Sequence, residues 1–179
     1  MRVQPLPADE WDEAVQRSLS AMLPPGRCNP RDAGNLMTTL ARHPKLADAY
    51  LRFGGYLLLR STLPARIREQ ATLRVAHRRA CAYEWTHHVK LAKQAGLSEA
   101  EIAAAQTGET DDEFDRAVFN AVDELDEKSN VSDQTWTALC QRLDERQCMD
   151  LIFTIGGYIA LAMALNTFGV EVEHDQKGR

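Results

Sequence analysis

The chain has 179 residues, 44% of them hydrophobic and 26% charged, with a formal net charge of −5. That composition supports a real core at this size. The acidic balance excludes a general nucleic-acid binder, which carries a basic footprint.

The start, "MRVQPLPADEW", turns acidic within ten residues and shows no signal-peptide pattern. Period-two alternation is rare and helical spacing recurs, so the expectation is an all-α protein of about eight helices. "ADEWDEAVQRSLSAML" reads as a first amphipathic helix, with Trp11, Val15, Leu19 and Met22 at three- and four-residue steps. "PPGRCNP" breaks it, and a short helix follows from about Asp32 to Arg42. "PKLADAYLRFGGYLLLR" opens with a proline that a first helical turn tolerates, and "LPARIREQATLRVAHRRA" repeats the device with Pro64. The helix carrying "YEWTHHVKLAKQAG" ends at Gly96, a good C-terminal cap. Ser98 to Glu101 fits a capping box.

"DDEFDRAVFNAVDELDEK" is acidic outside and apolar at Phe114, Val118, Val122 and Leu125. "SDQTWTALCQRL" precedes the closing segment, whose apolar run "LIFTIGGYIALAMAL" lies between Asp150 and Asn166. That run is shorter than the ~20 residues of a spanning helix and reads as a buried or interfacial helix. "FGGYLLL" (Phe53 to Leu59) and "IGGYIAL" (Ile155 to Leu161) echo one another, and paired glycines within a helix suit close approach of another helix.

Cys28, Cys81, Cys140 and Cys148 form no C-x-x-C pair, so reduced thiols in a cytoplasm are expected. Cys140 and Cys148 read as small buried hydrophobes. "CAYEWTHH" (Cys81 to His88) is different. On a helix starting at Cys81, Glu84 projects about 60° and His88 about 20° from the cysteine, while His87 points about 100° from His88. A thiol, a carboxyl and an imidazole then share one face, suited to general acid–base work. The helix start would favour a Cys81 thiolate, and Glu84 would oppose it. Glu69, on an apolar face with Leu73 and Ala76, needs a partner, with His88 or Arg74 available. Arg66, Arg68, Arg74, Arg78 and Arg79 either steer an anionic substrate or pair with the acidic helix from Asp111 to Glu127. Tyr83 and Trp85 read as core or interface aromatics. No H-E-x-x-H or second ligand pair appears, so no metal is expected.

The stretch "LPARIREQATLRVAHRRACAYEWTHHVKLAKQAGLSEAEI" resembles the carboxymuconolactone decarboxylase and alkylhydroperoxidase D superfamily, and "DERQCMDLIFTIGGYIALAMALNTFGVE" is similar to the closing helix of its decarboxylase-like members. The peroxidase branch carries E-x11-C-x-x-C-x-x-x-H. Glu69, Cys81 and His88 match it, and Glu84 stands where the second cysteine would be. The resemblance implies one domain over 1–179, with a core motif at about 44–106 and a closing helix at about 144–168. It implies an AhpD-like helical fold assembling as homotrimers or homohexamers.

It further implies a cofactor-free, cytoplasmic enzyme of the single-cysteine, decarboxylase-like branch acting on a small organic acid or lactone. His88, Glu84, Cys81 and Glu69 would be catalytic. Tyr83, His87, Arg74 and Tyr158 would touch substrate, with no nucleic acid or membrane as partner. Thiol-dependent hydroperoxidase activity through Cys81, or a non-catalytic oligomeric binding module, are the alternatives.

Overall fold

The computed structural model describes residues 1–173. Among these residues there are nine α-helices and no strands: α1 (Glu13–Leu19), α2 (Asn35–Leu40), α3 (Pro44–Leu59), α4 (Ala65–Arg78), α5 (Ala82–Gln94), α6 (Glu99–Thr107), α7 (Glu113–Lys128), α8 (Asp133–Leu139) and α9 (Glu145–Phe168). The all-α expectation holds. The chain divides into two compact units, Met1–Arg60 with the chain from Leu165, and Ser61–Ala164.

In the first unit α1 starts later than its apolar spacing suggests. The Asp12 side chain accepts from the Val15 N–H at 2.9 Å and fixes the cap there. α2 is likewise shorter than expected, because Gly34 at φ +84 breaks the helical path just before it. α3 begins with Pro44, and the His43 ring accepts from the Leu46 N–H. Val15, Leu19, Met37, Leu40 and Leu51 form this unit's core. At Gly55 an added Cβ would lie 3.2 Å from the Ala21 carbonyl oxygen, so close approach does explain this glycine. At Gly156, the counterpart of Gly54, an added Cβ would meet nothing within 4 Å, so close approach within the chain does not explain that glycine.

The second unit holds α4 to α8 and most of α9. Leu73, Ala92, Leu97, Ile102, Ala105 and Phe119 make its core. The Ser98–Glu101 capping box forms as read. On α7, Phe114, Val118 and Val122 are buried, while Leu125 is only half-buried.

The acidic face of α7 receives most of the α4 arginines. Arg74 grips Asp123 through two nitrogens at 2.8 Å each. Arg78 reaches Asp126 and Glu127, and Arg79 also pairs with Asp126.

Gln147 accepts from the Asp144 N–H while Asp144 accepts from the Gln147 N–H, which sets the start of α9. α9 runs 24 residues and contains an 18-residue window of mean hydropathy 1.8, long and apolar enough by composition to cross a membrane. Half of that apolar window is buried inside the protein. Cys148, Leu151, Ile155 and Ala162 are fully buried, whereas Met149, Phe153 and Met163 are each more than half exposed. The helix therefore has an inward face and an outward apolar stripe.

Candidate functional site

Cys81 owes its position to two helix ends at once. At the end of α4 the Cys81 N–H donates to the Ala76 carbonyl at 2.8 Å, and the Ala80 N–H donates to His77. This is a Schellman closure. It requires the left-handed conformation at Ala80 (φ 49), where glycine is the unstrained choice. Cys81 then adopts an extended conformation and caps α5. A strained, non-glycine turn thus fixes the thiol between two helices.

One turn into α5 lies Glu84, and one turn further His88, both buried. His88 Nδ1 meets Glu69 Oε2 at 2.6 Å, and Arg68 Nε donates to Glu69 Oε1 at 2.9 Å. Glu69 has no exposed surface. A carboxylate so buried is tolerable only with such partners. With Nδ1–H donating to Glu69, the neutral ring presents Nε2 as its basic nitrogen. Tyr158 on α9 stands edge-on to the same ring, with centroids 4.8 Å apart and planes at 87°. His88 is therefore held from two sides.

Glu84 has the opposite environment. It is 2% exposed, and neither carboxyl oxygen has a partner in hydrogen-bond geometry. Burial raises its pKa from 4.5 to about 8, although the neighbouring Cys81 thiol favours the charged form. Glu84 is thus a carboxylic acid at neutral pH. The Cys81 thiol is pushed up to about 12, by burial first and by the Glu84 charge second, against the N–H groups of Glu84 and Tyr83. The opposition of Glu84 to a Cys81 thiolate is thus present, and burial adds to it. Desolvation outweighs the helix-end stabilisation.

The remaining sequence candidates separate. Glu69 takes His88 and Arg68 as partners, and Arg74 does not reach it. Arg74, expected to touch substrate, has its guanidinium committed within the protein. Beyond Asp123, it donates to the Ala105 and Gln106 carbonyls at the end of α6. Its guanidinium seals a helix terminus.

His87 points away from His88, as the helical geometry requires; it stacks on Tyr83 with centroids 4.2 Å apart and its Nδ1 meets the Tyr83 carbonyl at 2.8 Å. Cys140 is exposed, contrary to the expectation of a buried hydrophobe, and Cys148 is buried.

Arg68 is the residue that sequence reasoning missed as a member of this set. Helical pitch alone gave no signal for it, because Arg68 and Arg79 project within about 20° of one another although Arg79 pairs with α7. Among the described residues, no three His, Cys, Asp or Glu side chains converge to hold a metal ion.

Residues 44–127 match the carboxymuconolactone decarboxylase family. Several solved structures share the fold. An uncharacterised peroxidase-related protein with an alkylhydroperoxidase AhpD core, from Ralstonia eutropha JMP134, superposes with a TM-score of 0.77 at 16% identity, covering 98% of this chain and 95% of that one. A protein of unknown function from Agrobacterium tumefaciens gives 0.68 at 21% identity, over 76% of this chain and 96% of that one. The debrominase Bmp8, as a cysteine-to-alanine variant in complex with 2,3,4-tribromopyrrole, gives 0.70 at 16% identity, over 97% and 92%. No curated protein is a significant match by sequence.

Proposed function

We propose, from the match of residues 44–127 to the carboxymuconolactone decarboxylase family and from the chemistry of the site, that the chain is a lyase of that family. The reaction moves protons on a small organic acid or lactone without metal or organic cofactor. The single observation that carries this reading is Glu84, a buried carboxyl beside the Cys81 thiol with its pKa lifted to about 8. An acid and a base held apart in this way are the requirement for proton transfer near neutral pH.

In this reading His88, oriented by Glu69 and Arg68, uses Nε2 to return a proton from solvent to Glu84 after each turnover. Glu84 delivers the proton to the carbon left electron-rich when the carboxylate departs as carbon dioxide. Cys81, as a neutral thiol, offers a hydrogen bond, and Tyr158 walls the imidazole. Tyr83 and His87 reach the substrate only from their own stacked pair, one step removed. The outward stripe of Met149, Phe153 and Met163 on α9 supports self-association, which we assign to a homotrimer or homohexamer.

The test is carbon dioxide release from a panel of carboxylated lactones, with His88→Ala and Glu84→Gln beside the wild type. Both variants should lose turnover. Full activity in His88→Ala removes the proposal.

A second reading has its own observation. The Cys81 thiol stands at the N-cap of α5, where the N–H groups of Tyr83 and Glu84 lower its pKa against burial, a placement that thiol chemistry on a hydroperoxide or a halogenated ring would use. Hydroperoxide consumption that disappears in Cys81→Ser, with lactones untouched, would favour it over the lyase.

A further inference from the structure

α4 and its end carry five arginines, and four of them are engaged with carboxylates of α6 and α7. Arg66 holds Glu101 and Asp115 at 2.6 and 3.1 Å, and Arg74, Arg78 and Arg79 hold the acids of α7. Arg68 is turned elsewhere. Its only protein partner among the described residues is Glu69, through Nε alone.

A guanidinium has five N–H donors in a rigid fork. The terminal Nη groups of Arg68 are therefore open, on a side chain only 15% exposed. Neither Nη atom is sealed away from solvent without a partner, so a small anion can reach both. The same carboxylate that fixes the Arg68 fork at one oxygen fixes His88 at the other, at 2.6 Å. Whatever the fork grips is thereby placed relative to the imidazole.

We propose that Arg68 is the anion-binding residue of this site, taking a carboxylate of the substrate on its terminal Nη groups. This rests on the reading of the site given above and names its substrate class, a small carboxylate-bearing molecule. Glu69 is no obstacle to a second carboxylate. Arg66 already carries two carboxylates on one guanidinium in this protein, and Arg78 carries Asp126 and Glu127. Planar, two-point recognition of a carboxylate is what arginine does and lysine does not. The proton-transfer groups would act on the carbon skeleton that this grip holds still.

The probe is succinate, with dimethyl succinate as its uncharged control. Binding to the full-length protein is measured by calorimetry and by the imidazole NMR signals of His88. Succinate should bind and shift those signals, and the ester should do neither. Arg68→Gln should weaken succinate by about tenfold or more, and Arg68→Lys, which keeps the charge beside Glu69, should recover only part of the loss.

Two results overturn the proposal: succinate binding that is equally tight in Arg68→Gln, or no succinate effect on His88 in the wild type. Should Arg68→Gln fail to fold, the Arg68→Lys variant and the succinate–ester comparison decide alone. The readouts need no turnover. Absent lactone decarboxylation with intact Arg68-dependent binding sinks the lyase and leaves Arg68 standing, and the reverse pattern sinks Arg68 only.

Discussion

Glu84→Gln keeps the shape of a buried side chain and deletes its titration. In the native protein the Glu84 pKa lies at about 8 against an ordinary 4.5. Between those values the folded chain holds a proton that the unfolded chain has released. The sign follows from linkage: the folded-state pKa is raised, so this contribution is fully present below about pH 4.5 and is lost as pH climbs to about 8. The slope is about 1.4 kcal/mol per pH unit, accumulating to on the order of 5 kcal/mol across the window. At 2% exposure, solvent screening removes little of it.

The assay is urea unfolding followed by far-UV circular dichroism, for wild type and variant, at several pH values between those limits. Every other titrating group is common to both proteins and cancels in the difference. The variant should gain on the wild type steadily as pH rises. Two parallel stability profiles would refute the argument, because Glu84 would then titrate alike in both states.

Other outcomes follow from the same coordinates. With its thiol pushed up to about 12 and 1% exposed, Cys81 should resist iodoacetamide at pH 8 while exposed Cys140 is modified first, as read by mass spectrometry. Rapid labelling of Cys81 would contradict the buried, neutral thiol. Gly108→Ala should cost about 3 kcal/mol in urea unfolding. Its φ is +77, and the new Cβ would lie 2.9 Å from the Arg74 guanidinium that seals α6. An unchanged midpoint would show that this clamp yields freely. Ala80→Gly should stabilise by up to about 1 kcal/mol, since glycine accepts the left-handed turn at φ 49 without strain. A clear loss of stability would mean that the turn carries no such strain.

Local chemistry made much of this protein legible in its sequence. Pro44, the Ser98–Glu101 box and the turn at Gly96 punctuate helices through groups within a few residues of one another, so linear order suffices. The same holds for Cys81, Glu84 and His88, whose common face is a consequence of helical pitch.

What linear order could not decide was the medium around each group. A thiol at a helix start is acidic in water and very weakly acidic when buried, and only the packing around Cys81 determines which applies. Likewise the sequence offered Glu69 two partners. The crossing of α4 with α5 chose His88, and the pairing of α4 with α7 took Arg74 away to Asp123. Desolvation and long-range charge pairing depend on what lies opposite a side chain, across distances in space that no spacing along the chain encodes.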